Sequence, residues 1–374
     1  MRYRYERQLN GSLIKKAVVW TQEEHGIEAR DVDGDAVYIV QILHDAGFET
    51  YIVGGAVRDL MLGKKPKDFD IVTTATPNQI RRYIRNSRVI GKRFRLVHAY
   101  SNSKIFEVAT FRSIKEGTTS NTFGTIEEDV QRRDFTMNAL FYDPAKETVI
   151  DYVGGVNDIQ RKILRTVIPL NVIFRDDPVR MIRAVKYAAV AGFEVPLRIK
   201  WKIKKDAPLL AEISTSRLTE ELSKIIRSED VAAIVRELFE NKLWQYLQPK
   251  ADEKMRADPA FREAYLRGFS DLKTLPGEPE KKGACMAALV RPYLEKAVDW
   301  KGIGDNAKDV FFTARKFIAP AALPRFELEA GLRIILAEHE IAAKKTRLHD
   351  QRPRRHAGHH QATRARPEDG DNRV

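Results

Sequence analysis

Between residues 50 and 72 the chain can take few shapes. Thr50-Tyr51-Ile52-Val53 is a short β-branched and aromatic run that predicts a strand. It stops at Gly54-Gly55, and Ala56 to Leu62 reads as a helix; Asp68 to Val72 reads as a second strand. A diglycine between strand and helix lets the backbone approach a ligand closely, with amides free to point at it. A helix start at that place attracts phosphate, and Arg58 in its first turn can reach a triphosphate. Alternate residues of a strand share a face, so Asp68 and Asp70 project together and Phe69 turns away. Two adjacent carboxylates repel unless a divalent cation lies between them, and hard oxygen ligands suit Mg²⁺. The spacing is neither Walker A nor Gly-x-Gly-x-x-Gly, which excludes P-loop and dinucleotide-fold readings. Separately the diglycine reads as a plain tight turn and the Asp-x-Asp as an exposed one; together they suggest a phosphate cradle beside a metal site.

The neighbouring segments predict a helix over Ala36 to Leu43 and strands at Arg95–Tyr100 and Ile105–Phe111. Thr76-Pro77 is an N-cap with Pro at the first helical position, opening a helix over Gln79 to Ile84. Beyond Gly154-Gly155 the texture turns helical, with Val179–Ala191, Ser216–Ile226, Asp230–Phe239 and Ala284–Trp300 as segments. Turns are marked by Leu275-Pro276-Gly277, Pro320 and Pro324. The chain of 374 residues has room for two or three domains. The expected division is an N-terminal extension at 1–33 and an α+β head of mixed sheet and helices at 34–155. A helical neck at 156–228, a helical body at 229–343 and a tail at 344–374 follow.

Charge narrows the partners. Lys and Arg number 65 against 52 Asp and Glu, a net +13, which favours a polyanion: nucleic acid, nucleotide or anionic lipid. The tail is the extreme case, with nine Lys and Arg, four acids and four of the chain's eight histidines. Large apolar residues are nearly absent there, so a disordered basic tail is expected: an arm for nucleic-acid backbone or a plain solvated end. The single cysteine, Cys285, sits in an apolar run and reads as a small buried residue. No secretory signal or spanning stretch is apparent, so a cytoplasmic protein without membrane contact is expected. Asp177 and Arg180 are three apart on a predicted helix and would share a face. An acceptor beside a fork of donors can read a base edge; the plain alternative is a solvated charged face.

Gly54-Gly55-Ala56-Val57-Arg58-Asp59 with Asp68-Phe69-Asp70 resembles the head motif of the class II tRNA nucleotidyltransferase and bacterial poly(A) polymerase family. The resemblance continues in order through Glu107-Val108-Ala109-Thr110-Phe111-Arg112, the run from Glu127 to Leu140, Asp151-Tyr152-Val153-Gly154-Gly155 and the run from Arg175 to Ala184. It implies a nucleotidyltransferase head ahead of an all-α region. It also implies attack of an RNA 3′-hydroxyl on the α-phosphate of ATP, with pyrophosphate released. Two Mg²⁺ ions would be held by Asp68 and Asp70. Asp134, in Arg-Arg-Asp-Phe-Thr, is the expected third catalytic group, with Glu107 as rival metal ligand. Gly54, Gly55, Arg58, Arg133, Asp177, Arg180 and Arg183 are the expected nucleotide contacts. Asp176 stands where the family usually has Glu.

Gly91-Lys92-Arg93-Phe94-Arg95-Leu96-Val97-His98, Ala314 to Ile318 and Leu323 to Phe326 resemble the poly(A) branch more than the CCA-adding branch. The resemblance therefore implies template-independent addition of AMP to RNA 3′ ends of mRNA, other transcripts or tRNA. RNA-decay machinery is the partner class that this suggests. The alternatives are CCA or A addition to tRNA, or an inactive head on an RNA-binding protein. In the helical part Lys242, Trp244, Tyr246, Arg325 and Phe326 are RNA candidates, Trp244 and Phe326 being expected in the core.

Overall fold

A computed structural model describes residues 2–7, 13–91, 96–115, 122–274, 278–301 and 307–341. The expected tail at 344–374, residues 92–95 of the branch motif and the Leu275–Gly277 turn lie outside the described residues. The head is one mixed sheet. Its strands are β1 (Arg2–Arg7), β2 (Leu13–Trp20), β3 (Thr50–Val53), β4 (Asp70–Thr73), β5 (Ser87–Ile90), β6 (Leu96–Ser101), β7 (Lys104–Thr110), β8 (Leu140–Asp143) and β9 (Thr148–Asp151). They run in the order β1-β2-β9-β8-β3-β4-β7-β6-β5. Among these described neighbours β4 and β7 alone are parallel.

Alternation divides the core between the faces of the sheet. Ile52, Ile71 and Val108 turn to the face covered by the Gly34–Asp45, Gly55–Met61 and Pro77–Tyr83 helices. Tyr51, Val53 and Val72 turn to the other, where Phe111, Ile126, Val130 and Phe141 pack. The caps are as their sequences dictate: Asp33 accepts from the Asp35 amide at 2.9 Å, and Thr76 with Gln79 forms a reciprocal capping box.

Two expectations are corrected. The 1–33 segment is no separate extension: β2 pairs antiparallel with β9 at Val18↔Asp151, so residues 2–7 and 13–20 add two strands to the head sheet. The second strand begins at Asp70 rather than Asp68, and Asp68 lies in the irregular segment ahead of it.

The remainder is helical, with Val179–Ala191, Leu197–Asp206, Thr215–Ile226, Val231–Glu240, Glu278–Ala297, Ala307–Ile318 and Arg325–Glu338 among its helices. Trp244 is buried in this core, as is Cys285. Phe326 is not: it is 61% exposed, against the expectation of a core residue. Among the described residues no helix is long and apolar enough to cross a membrane.

Candidate active site

Sheet register assembles the acidic centre. Val53 pairs with Asp70, so the chain leaves β3 into the diglycine directly beside that carboxylate. Gly54 takes φ 69° and ψ −130°, a conformation that side chains resist. A Cβ built there would lie 3.8 Å from Asp70 Oδ2 and 3.9 Å from Arg133 Nη1, so the backbone meets both groups closely. On the other side β4 pairs parallel with β7 at Ile71↔Val108. One residue earlier on each strand stand Asp70 and Glu107, side by side on the same face.

Asp68 and Asp70 open onto a cleft of about 980 Å³ between head and helical region. Gly55, Arg58, Lys64, Lys65, Lys67, Arg183, Lys186, Lys224 and Arg227 also line it, giving its walls a basic excess. Lys67 and Glu229 face each other across it at 3.7 Å. A smaller space of about 250 Å³ joins Asp70 to Glu107, with Arg112, Arg132 and Arg133 around them. Asp70 therefore belongs to both spaces. Its carboxyl is pushed up to about 6, chiefly by burial, then by Glu107 and more weakly Asp68, with Arg133 pulling the other way. Oxygen donors that repel one another and remain exposed to the cleft fit a hard divalent cation. Among the described residues no three Asp, Glu, His or Cys side chains close on one point to form a ready-made metal cluster.

A cation at Asp70 would compete with a proton. Above about pH 6 the group is charged and available; as pH falls below 6 it takes up a proton and must lose it to bind metal. Mg²⁺ affinity should therefore weaken about tenfold between about pH 7.5 and 5, measured by titration calorimetry. An affinity flat over that range contradicts the assignment.

The expected third group sits elsewhere. Asp134 is buried; its Oδ1 accepts from the Phe135 amide at 2.8 Å and its Oδ2 pairs with Arg183 Nη2 at 2.8 Å. The Asp134 charge is the main reason Arg183 titrates above the ordinary arginine range. Asp134 lines neither acidic space, whereas its rival Glu107 does. Glu107 also faces His98 Nε2 at 3.7 Å, its register partner on β6.

Arg58 is likewise committed. It grips Asp59 through Nε and Nη2 at 2.9 and 2.7 Å and donates from Nη1 to Asn138 Oδ1 at 2.8 Å. Asn138 donates in turn to Asp134 at 3.3 Å, and Arg183 reaches the Tyr187 hydroxyl at 3.2 Å. The Arg58 guanidinium lies 5.0 Å from the centre of the Tyr187 ring. Asp59, Arg58, Asn138, Asp134, Arg183 and Tyr187 thus form one chain of contacts fastening the head to the Val179–Ala191 helix. Asn138 and Tyr187 were not singled out from sequence; Asn138 lies inside the quoted Glu127–Leu140 run, and nothing local marked Tyr187.

Arg133 holds Asp129 Oδ2 at 2.8 Å and the Asn138 carbonyl at 3.0 Å, one edge toward the small space. Asp177 and Arg180 are not two positions of one helix: Asp177 is extended and precedes it. They are nevertheless close, 3.9 Å apart, and both buried. Arg180 pairs with Asp176 at 2.8 Å, and Asp177 pairs with Arg217. This is an internal ion cluster rather than a solvated face.

Residues 50–165 match the family described as the poly A polymerase head domain, and residues 192–255 match the probable RNA and SrmB-binding site of polymerase A. Poly(A) polymerase I of Salmonella typhi is 43% identical over 244 residues, 61% of this chain and 52% of that protein. The chain thus spans about half the length of the poly(A) polymerase relatives it matches. The CCA-adding enzyme of Geobacillus thermodenitrificans is 34% identical over 326 residues, 83% of this chain and 78% of that protein. The crystal structure of the Bacillus stearothermophilus CCA-adding enzyme in complex with CTP superposes with TM-score 0.55 at 30% identity, covering 81% of this chain and 82% of that one.

Proposed function

Because the chain belongs to the class II tRNA nucleotidyltransferase and bacterial poly(A) polymerase family, we propose that it adds AMP from ATP to RNA 3′ ends without a template. The observation that carries this reading is the pair Asp68 and Asp70 on a cleft with basic walls, with Asp70 shared by the smaller space that Glu107 lines. In this reading Asp68, Asp70 and Glu107 would hold the Mg²⁺ ions, and Asp134 is a positioning residue for Arg183 rather than a catalytic one. Bound there, the ions would supply activation of the attacking hydroxyl and stabilisation of the leaving oxygen. The chain's own residues do the remaining work. Lys65, Lys67, Lys186 and Lys224 stand along the cleft where triphosphate and RNA backbone carry negative charge. The Gly54 turn keeps side-chain bulk away from Asp70. The Asp134–Arg183 pair and Tyr187 hold the helical wall at a fixed place opposite the carboxylates. In the reaction the RNA 3′ oxygen bonds to the α-phosphorus, the bond to the β-phosphate oxygen breaks, and pyrophosphate leaves.

ATP is preferred as substrate on the 42–43% identity to poly(A) polymerase I, against 34% to the CCA-adding enzyme. The longer span of the second match keeps CCA addition as the alternative. Incubation with Mg²⁺, labelled RNA and each nucleotide separately decides between them. Long tails from ATP alone are expected. Addition of CTP as readily as ATP, limited to two or three residues on tRNA, overturns the adenylating reading. The RNA-decay machinery suggested by sequence is tested by retrieving partners with tagged chain in the presence and absence of ribonuclease.

A further inference from the structure

Beside the acids the sheet has an open stretch that the chemistry above does not use. Register sets Arg88 of β5, His98 of β6 and Glu107 of β7 abreast, with Asp70 of β4 next in line. Tyr100 and Ile105 form the following pair of β6 and β7 on the same face. The other face of these strands is closed, with Val97, Ala99, Phe106 and Val108 buried. This one is open: Arg88 and Glu107 are exposed, Ile105 is 57% exposed, and His98 and Tyr100 are half-buried. His98 Nε2 stands 3.7 Å from Glu107 Oε1, and its ring meets the edge of Tyr100 with centres 6.5 Å apart. Among the described residues Arg88 forms no ion pair. His98 also closes the Gly91-to-His98 run, to which the site described above gives no part.

We infer that His98 makes this site choose a ribose end over a deoxyribose one, by bonding to the 2′-hydroxyl of the acceptor's last nucleotide. The attacking 3′ oxygen has to come to the carboxylates of Asp70 and Glu107, in line with the departing pyrophosphate. The neighbouring carbon of the same sugar bears the 2′-hydroxyl, so that group arrives within one step of Glu107. At 3.7 Å the imidazole and the carboxylate are too far apart to bond to each other, and a hydroxyl lying beside them can bond to both. A 2′-hydroxyl both donates and accepts: it donates to Glu107 and accepts from the ring. Exposed Ile105 gives the sugar an apolar floor. Arg88, two strands or about 10 Å from Glu107, stands where the phosphate before the last nucleotide passes. The inference rests on the reading of the chain as an enzyme of RNA ends, and names the group by which it knows one.

The test uses the full chain, Mg²⁺, ATP and two oligoadenylates that differ only in a ribose or a 2′-deoxyribose at the last nucleotide. The parent should extend the ribose end at least about tenfold better in kcat/KM, the worth of one such hydrogen bond. His98→Ala should bring the two acceptors within about twofold of each other, and His98→Gln, which keeps a donor and an acceptor, should restore part of the difference. Arg88→Ala should raise KM for both acceptors alike. A residue that only props Glu107 slows both acceptors equally, so a preference in His98→Ala more than half of the parent's overturns the inference. So does a parent that shows no preference. Placement is read without turnover, by near-ultraviolet crosslinking of an acceptor ending in 4-thiouridine. An adduct on β6 or β7 is expected, and adducts confined to the helical wall overturn the inference. Failure of the adenylating reading looks different: CTP serves the parent as well as ATP, or nothing is incorporated, while the adduct on β6 or β7 remains.

Discussion

Asp70→Asn should leave a folded protein that incorporates nucleotide on the order of 10³-fold more slowly. The change removes one charge and almost no volume. A cation in such a site supplies several kcal/mol of barrier lowering, and each 1.36 kcal/mol is about tenfold in rate. The same change should not lower the melting temperature and should raise it slightly. Asp70 is held against burial and against Glu107 and Asp68, so its charge is a burden on the metal-free fold. The two measurements, single-turnover extension of labelled RNA and a thermal melt, are to be made on the same preparation. A loss under tenfold removes Asp70 from the machinery; a large loss accompanied by a collapsed melt assigns it to the fold.

Gly155→Ala should cost about 3 kcal/mol or more of stability, the upper range for forcing extra volume into a packed interior. A Cβ at Gly155 would lie 2.2 Å from the Thr136 carbonyl oxygen, 2.9 Å from its carbon and 3.1 Å from Leu140 Cδ2. Neither side can yield easily. The Thr136 oxygen accepts from the Ala139 amide at 3.0 Å. Asp151 gathers the amides of Val153, Gly154, Gly155 and Val156 between 2.8 and 3.0 Å, fixing the turn from β9 into the Gly155–Arg161 helix. Thermal and urea unfolding of the variant measure the loss. A midpoint equal to the parent's would mean that the 136–140 segment moves aside, and with it Asn138.

Local signals carried much of this. Thr50–Val53 is a strand because four β-branched or aromatic residues end at glycine. Val179–Ala191 is a helix because Pro178 opens it and Gly192 closes it in the left-handed conformation. What depended on distant pairing was not legible. Residues 2–5 alternate Arg and Tyr plainly enough, but β9, the partner of β2, lies some 130 residues on. The choice between Asp134 and Glu107 could not be made from local sequence for the same reason. Both stand in the motifs that carry the family resemblance, and only the parallel pairing of β4 with β7 brings one of them to Asp70. The spacing of Asp177 and Arg180 allows them to be helix neighbours; Pro178 instead places the helix start between them.

The β4–β7 ladder has one more implication. Its hydrogen bonds fix which residues of two strands, distant in the chain, stand abreast. A slip of a single step would turn Glu107 to the opposite side of the sheet and bring Phe106 or Val108 into its place. Folding accuracy and the placing of the acids are therefore the same event here: a backbone that zips correctly has already set Glu107 beside Asp70, and one that zips wrongly has parted them.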